Sequence, residues 1–356
     1  MSYRSIGRLN LNYTKNILEQ WFNHLPYIKP YYAIKSFPNK ELVNLLSQYN
    51  LGFDCASMNE IKLVKDLSKD IIYANPTKSE IDIIYAKNNS IKKIVIDSIE
   101  EIKKIQNLDY SPEYVLRIVS DESYSSIRFN RKFGASLDES KEIISFLKEN
   151  NLNLTGFSYH VGSKCSNMKA HLNTINNILE NLYPYCLEQK LLPSIIDIGG
   201  GFENEYQIIE LNENLKEILP TLKNLQLSLI AEPGRLFSQG ALEIETEIIA
   251  IREKIVDKIP TLYLTINDSV YHSFQGKMFD GQTFDPIAQY SSDELIRCII
   301  FGNTCDSLDL INENCLLPRP KVGDKLLFKN MGAYSLASAE GNFNGFYCAK
   351  IKSLPL

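Results

Sequence analysis

Over the first two thirds of the chain, apolar positions alternate between two patterns. Short β-branched and aromatic runs at Tyr32–Lys35, Gly52–Cys55, Ile71–Ala74, Ile94–Asp97, Val115–Val119, Leu154–His160, Ile195–Ile198 and Leu227–Glu232 read as buried strands. The segments between them space their apolar residues for helices: Ile99, Ile102 and Ile105 keep one side buried, as do Ile143, Ile144 and Phe146–Leu147 ahead of Asn150. Eight strand–helix repeats predict an α/β fold, a closed (β/α)8 barrel of the TIM type, because closure removes the edges that an open sheet exposes. Thr77 with Glu80, and Ser98 with Glu101, have the spacing of capping boxes and mark helix starts. The longest helix is expected over about 167–189, with Pro184 as a kink near its end. Beyond about Gly240 the pattern turns to alternating apolar and polar residues with turn signals, in Leu242–Ile251, Thr261–Asn267, Arg297–Gly302 and Lys325–Asn330. That predicts a second, all-β domain of sandwich or barrel-like form. The expected division is a barrel over 8–238 and a β domain over 239–356 that also takes in residues 1–7.

Composition narrows the classes. The 356 residues exceed what one compact core usually holds, and 44% hydrophobic with 23% charged residues is ordinary for a globular protein. A formal net charge of −5 without a basic run lacks the footprint of a nucleic-acid binder, and an acidic protein attracts cationic substrates. Residues 1–10 lack an apolar core of signal-peptide length, and no stretch approaches the roughly 20 apolar residues of a membrane span, so a cytoplasmic protein without a membrane partner is expected. Seven cysteines without CxxC spacing and four histidines argue against a disulfide framework and against a metal site.

The candidate chemistry lies where barrel strands end, since those ends share one mouth. They read Lys35, Asp54, Asn75, Asp97, Arg117, His160, Gly199–Gly201 and Glu232, a set that a purely structural barrel does not need. A partly desolvated Lys35 can form a Schiff base with an aldehyde cofactor; alone, it reads equally as a lysine reaching out from a strand end. The three glycines after Asp197-Ile198 leave backbone amides bare for a phosphate, or make an ordinary turn. Arg235 in the next motif, Glu232-Pro233-Gly234-Arg235, can pair with phosphate through two hydrogen bonds, and Glu232 can keep a pyridine nitrogen protonated or form a salt bridge. His160 can stack on an aromatic cofactor while Ser163 donates to its phosphate. In the β domain, Cys305 can return a proton to carbon, Asp306 can pair with a cation, and Tyr334 can bind phosphate; the plainer alternative is a turn with a buried thiol.

Taken together, the blocks PYYAIK, GFDCAS, YANPTK, VLRI, RKFGAS, YHVGS, DIGGGF, AEPGR, TCDSLD and NMGAY, in this order from about Pro30 to Phe346, resemble the eukaryotic-type ornithine decarboxylases. These belong to the fold-type III pyridoxal 5′-phosphate (PLP) enzymes, with the arginine, diaminopimelate and carboxynorspermidine decarboxylases. The resemblance implies that Lys35 carries PLP, that Asp54 and Arg117 lie near its phenolic oxygen, and that His160 stacks on its ring. It further implies that Ser163, Gly200, Gly201, Arg235 and Tyr334 hold the phosphate and that Glu232 partners the ring nitrogen. Lys35, Cys305, His160 and Glu232 are then the catalytic residues, and Asp280, Asp306, Phe279, Tyr271 and Phe343 the substrate-binding ones. Cys305 and Asp306 match residues that reach into the partner's active site, which implies a homodimer with shared sites. Lys132 and Asp309 match an ion pair across its interface.

The implied activity is decarboxylation of a basic amino acid, with L-ornithine first because of Asp280, and L-lysine as a further substrate because one methylene separates few substrates well. Arginine and diaminopimelate decarboxylation, an antizyme-inhibitor-like binding protein and an alanine-racemase-like enzyme are the alternatives. The chain departs from the resembling enzymes at Ser307, Lys164, Ser269 and His272, where glycines are usual, and these departures bear on pocket shape.

Overall fold

The computed structural model describes residues 4–339 and 341–352. The chain forms two compact units: one holds Asn16–Leu236, the other the residues up to Lys15 and those from Phe237 onward. The amino-terminal share of the second unit is therefore longer than the expected residues 1–7.

In the first unit, strands Ile28–Ala33, Gly52–Cys55, Ile71–Tyr73, Lys93–Ile96, Glu113–Arg117, Leu154–Ser158, Ile195–Asp197 and Ser228–Ala231 close into a parallel barrel, the last pairing with the first. All eight overlap the apolar runs in the sequence, the first by only Tyr32 and Ala33, since that strand begins at Ile28. Tyr31, Ile72, Val95, Val115 and Ile230 pack together inside the barrel, with Ala74 and Ile195 against them, so the interior is a filled core and chemistry is left to the strand ends.

Helix starts follow the caps only in part. Ser98 does cap Ile99–Gln106 by accepting the Glu101 amide, but the Glu101 carboxylate accepts the Lys78 amide and pairs with Lys104 instead of returning to Ser98. Ser79, two residues after Thr77, caps Glu80–Asn88; Asp82, three residues on, also accepts the Met58 amide, so a tertiary contact selects the later hydroxyl. A reciprocal box forms at Ser136 and Glu139. The long helix is not continuous. Lys169–Asn177 passes through a π-helical turn, Ile178–Leu182, into Tyr183–Glu188, and the turn lies directly before Pro184, which has no amide proton for the regular ladder.

The second unit is mostly sheet. Leu242–Val256 is its spine, with burial alternating along its first half. That half pairs with Ile6–Leu9 and with Lys325–Phe328. After an irregularity between Ile248 and Ala250, the strand pairs with Ile259–Ile266. Leu295–Phe301 and Leu310–Pro318 extend the sheet. Among the described residues no helix is long and apolar enough to cross a membrane.

One buried group makes the barrel unit sensitive to acid. His171 is fully buried, stacked on Phe202 at 5.3 Å and 6° and tilted against Tyr159, whose hydroxyl donates to the His171 carbonyl at 3.2 Å. Burial pushes its pKa down to about 3. Between that value and the unfolded value near 6.5, the unfolded chain binds a proton that the native state refuses, so His171 adds stability that is complete above about pH 6.5 and lost as pH falls towards 3. We expect the stability lost between pH 7 and pH 4 to be smaller in His171→Phe than in the wild type by roughly 3 kcal/mol, read from urea midpoints at each pH. Parallel pH curves would rule this out.

Candidate active site

Lys35 does not end its strand as the apolar run suggested. The ladder stops at Ala33, and Ile34–Ser36 forms one 3-10 turn, fixed by Ser36 donating to the Ala33 carbonyl at 2.9 Å and by the Tyr32 hydroxyl donating to the Phe37 carbonyl at 3.0 Å. The lysine thus leaves the sheet at the mouth. Its Nζ lies 3.3 Å from Asp54 Oδ2; the lysine side chain is 43% exposed and the aspartate 1%.

Beyond the last two strands the pairing continues through the Ile198 amide to the Ile230 carbonyl at 2.8 Å and the Glu232 amide to the Gly199 carbonyl at 2.6 Å, while the Ala33 amide reaches the Pro233 carbonyl at 3.4 Å. The glycine turn, Glu232 and the Lys35 turn are therefore neighbours. Burial raises the Glu232 pKa well above the ordinary carboxylate value, and the charges of Asp197 and Asp54 raise it further, with Lys35 opposing. Asp197, whose Oδ1 accepts the Gly199 amide at 2.9 Å, is pushed up to about 7, chiefly by burial.

Arg117 lies over the Phe133 ring at 4.7 Å; burial lowers its pKa while Glu232, Asp97, Asp54 and Asp197 oppose the shift. The His160 ring meets Phe129 edge-on at 4.8 Å, and its Nδ1 accepts the Gly162 amide at 3.0 Å, which leaves Nε2 to carry the proton of the neutral ring. Burial, then Lys35 and Arg117, hold its pKa well below the usual value. Two carboxyl groups were assigned no role from sequence. Asp197 was visible in its motif. Glu60, pushed up to about 7 by burial, accepts the Ala56 amide at 2.6 Å; its capping-box spacing from Ser57 is the signal that could have marked it.

The glycines are sterically required. A Cβ at Gly200 would lie 2.9 Å from His160 Nε2 and 3.0 Å from the Glu232 carbonyl, and Gly201 has φ of +108°. Ser163 stands opposite Ile127 in a short antiparallel pair. The next residue, Lys164, has φ of +54°, a left-handed backbone that accounts for the glycine usual there in the resembling enzymes. Arg235 is buried, with Nε 3.5 Å from Glu203 Oε1. Lys132 is exposed, its ammonium 4.8 Å above the Phe133 ring.

The β unit assembles the remaining residues. The Tyr271 hydroxyl donates to Asp306 Oδ2, the Leu308 amide donates to Oδ1 at 3.0 Å, and the Tyr271 ring stacks on Phe343 at 4.0 Å and 17°. Cys305 is exposed, and its amide donates to Asn344 Oδ1 at 3.0 Å. Asp280 Oδ2 accepts Gln282 Nε2 at 2.6 Å, and the same amide nitrogen donates to the Ala333 carbonyl at 2.9 Å, beside Tyr334, whose φ is +52°. Phe279 is 74% exposed. Asp309, which the resemblance pairs with Lys132 across an interface, also has partners within its own chain. It is buried inside its own unit, where it accepts the Val270 amide at 2.9 Å and the Thr304 amide and hydroxyl at 3.0 and 2.6 Å.

A cationic amine, a buried guanidinium, proton-holding carboxyls, a neutral imidazole and a glycine turn that admits no Cβ fit a phosphorylated aromatic aldehyde. The barrel with this mouth defines a cofactor-dependent enzyme of the parallel-barrel class. The pyridoxal binding domain of the pyridoxal-dependent decarboxylases matches residues 12–239. The probable ornithine decarboxylase of Dictyostelium discoideum is 31% identical over 345 residues, covering 92% of this chain and 74% of that protein. Antizyme inhibitor 2 of Xenopus laevis is 36% identical over 342 residues, covering 90% and 75%. The crystal structure of the Paramecium bursaria Chlorella virus arginine decarboxylase superposes with a TM-score of 0.91 at 28% identity, covering 99% of this chain and 96% of that one. The chain belongs to the PLP-dependent basic amino acid decarboxylase family and is a carboxy-lyase of the ornithine decarboxylase type.

Proposed function

We propose that the enzyme decarboxylates L-ornithine to putrescine, accepts L-lysine less well, and works as a homodimer whose active sites are shared. The observation that carries the substrate reading is a pair of carboxylates in the β unit, Asp306 and Asp280, each oriented by neighbouring donors and suited to a distal ammonium. The similarity to a probable ornithine decarboxylase supports it.

PLP, when bound, supplies an aldehyde that links to amines and a ring that takes up the electron pair left by departing carbon dioxide. In this reading Lys35 would hold the cofactor and displace the product. Asp54 fixes the lysine amine, and Arg117 offsets the negative charge of its carboxylate neighbours. Neutral His160 would face the ring, while Ser163, Gly200, Gly201, Arg235 and Tyr334 would hold the phosphate. Glu232 would hold a proton at the ring nitrogen, and Cys305 would deliver one to the substrate's α-carbon. The exposed thiol of Cys305 suits a residue that serves the partner's site. Tyr271, Phe343 and Phe279 flank the substrate chain.

Carbon dioxide release from ornithine, lysine, arginine and diaminopimelate, measured in parallel, tests the proposal. We expect kcat/KM to favour ornithine over lysine by about 10–200-fold. Asp280→Glu is expected to lower the ornithine value on the order of 10–100-fold and to raise the relative value for longer cations. The fold likeness to an arginine decarboxylase supports a second reading, arginine decarboxylation, which a preference for arginine would establish. Equal ornithine kinetics in wild type and variant would remove Asp280 from recognition.

A further inference from the structure

Two residues of this chain that replace glycines usual in the resembling decarboxylases, Ser269 and His272, touch one another. Both are fully buried, and Ser269 Oγ lies 2.5 Å from His272 Nδ1. The same Oγ accepts the Tyr271 amide at 3.1 Å. Since it accepts there, the hydroxyl proton is available to Nδ1, and burial favours the neutral ring that can accept it. The turn is braced all round. The Ser269 carbonyl accepts the His272 and Phe274 amides, both at 3.1 Å; Asp268 Oδ1 accepts the Ser269 and Ser273 amides at 2.8 and 3.1 Å; and Asp309 holds Val270. Tyr271, at its centre, carries the hydroxyl that orients Asp306 and the ring that stacks on Phe343.

We propose that Ser269 and His272 act as one positioning unit for substrate recognition, fixing the backbone of Tyr271 and through it the Asp306 carboxylate that receives the substrate's distal ammonium. The inference rests on the substrate reading above. Neither residue touches the reacting atoms; each acts through Tyr271. Glycine at both positions would leave the Tyr271 amide without this acceptor and the turn with more backbone freedom. Residues acting through a single hydrogen bond lose their effect together, which a double-mutant cycle detects.

The test compares Ser269→Ala, His272→Ala and the double variant in the full-length enzyme, with Ser269→Gly as a second deletion and His272→Asn as the conservative variant, whose amide can occupy the Nδ1 position. KM and kcat for ornithine, the Kd for 1,4-diaminobutane by calorimetry, and the thermal midpoint are measured. Each deletion is expected to raise KM and Kd about fivefold with kcat within about twofold, the double variant no further, and His272→Asn to restore both constants. Effects that multiply to about twenty-five-fold, or a lowered midpoint with unchanged KM and Kd, would overturn the proposal. Asp306→Ala separates the two levels. If it leaves KM and Kd unchanged, the substrate reading itself fails; if it raises them while the Ser269 and His272 variants do not, only this inference falls.

Discussion

Replacing Lys35 by alanine is expected to reduce kcat on the order of 10⁴-fold or more, with the thermal midpoint nearly unchanged. The side chain is 43% exposed on a turn held by Ser36 and Tyr32, so its removal leaves no cavity in the core and should not disturb the barrel. Under the proposed function, what is lost is the group that would anchor the cofactor and displace product. An exogenous small amine is expected to restore part of the product-release step, because the mouth that holds Lys35 is open to solvent. A variant retaining more than about a tenth of wild-type kcat would contradict the assignment.

The second large effect belongs to Glu232. Glu232→Gln keeps the volume but removes the group that holds a proton at the end of the strand Ser228–Ala231. In the wild type, burial and the adjacent Asp197 and Asp54 charges make this carboxyl bind its proton strongly, while Asp197 titrates near 7. The loss expected in kcat is on the order of 10²–10³-fold, the range for removing one preorganised electrostatic contact in a water-poor site. KM should move less, since the proposal gives the distal ammonium to Asp306 and Asp280 and not to Glu232. An unchanged kcat, measured under saturating PLP, would show that Glu232 is structural.

Much of this was legible in the chain. The eight apolar runs mark the eight barrel strands because a strand buried on both faces must be almost wholly apolar. The misreadings are tertiary in origin. Thr77 and Ser79 both precede a carboxylate by three residues, and the Met58 amide, distant in sequence, favours the second pair. The apolar period around Pro184 is helical throughout, yet a π turn absorbs the missing donor. The motif containing Asp309 did not reveal its contacts within the chain, where three donors tie the Tyr271 turn to the Cys305 loop. Glu60 sits in a helix start that Ser57 caps, but its place near Lys35 depends on the pairing of Gly52–Cys55 with Ile28–Ala33, which the local sequence does not show. Ser269 and His272 were conspicuous only as departures; their contact needed coordinates.

The most direct test is reduction of the purified protein with borohydride after incubation with PLP, followed by peptide mapping. The account predicts a single phosphopyridoxyl group on Lys35 in the peptide spanning Tyr31–Phe37, together with loss of the cofactor's absorbance band. Labelling of another lysine, or no labelling at saturating PLP, would contradict it.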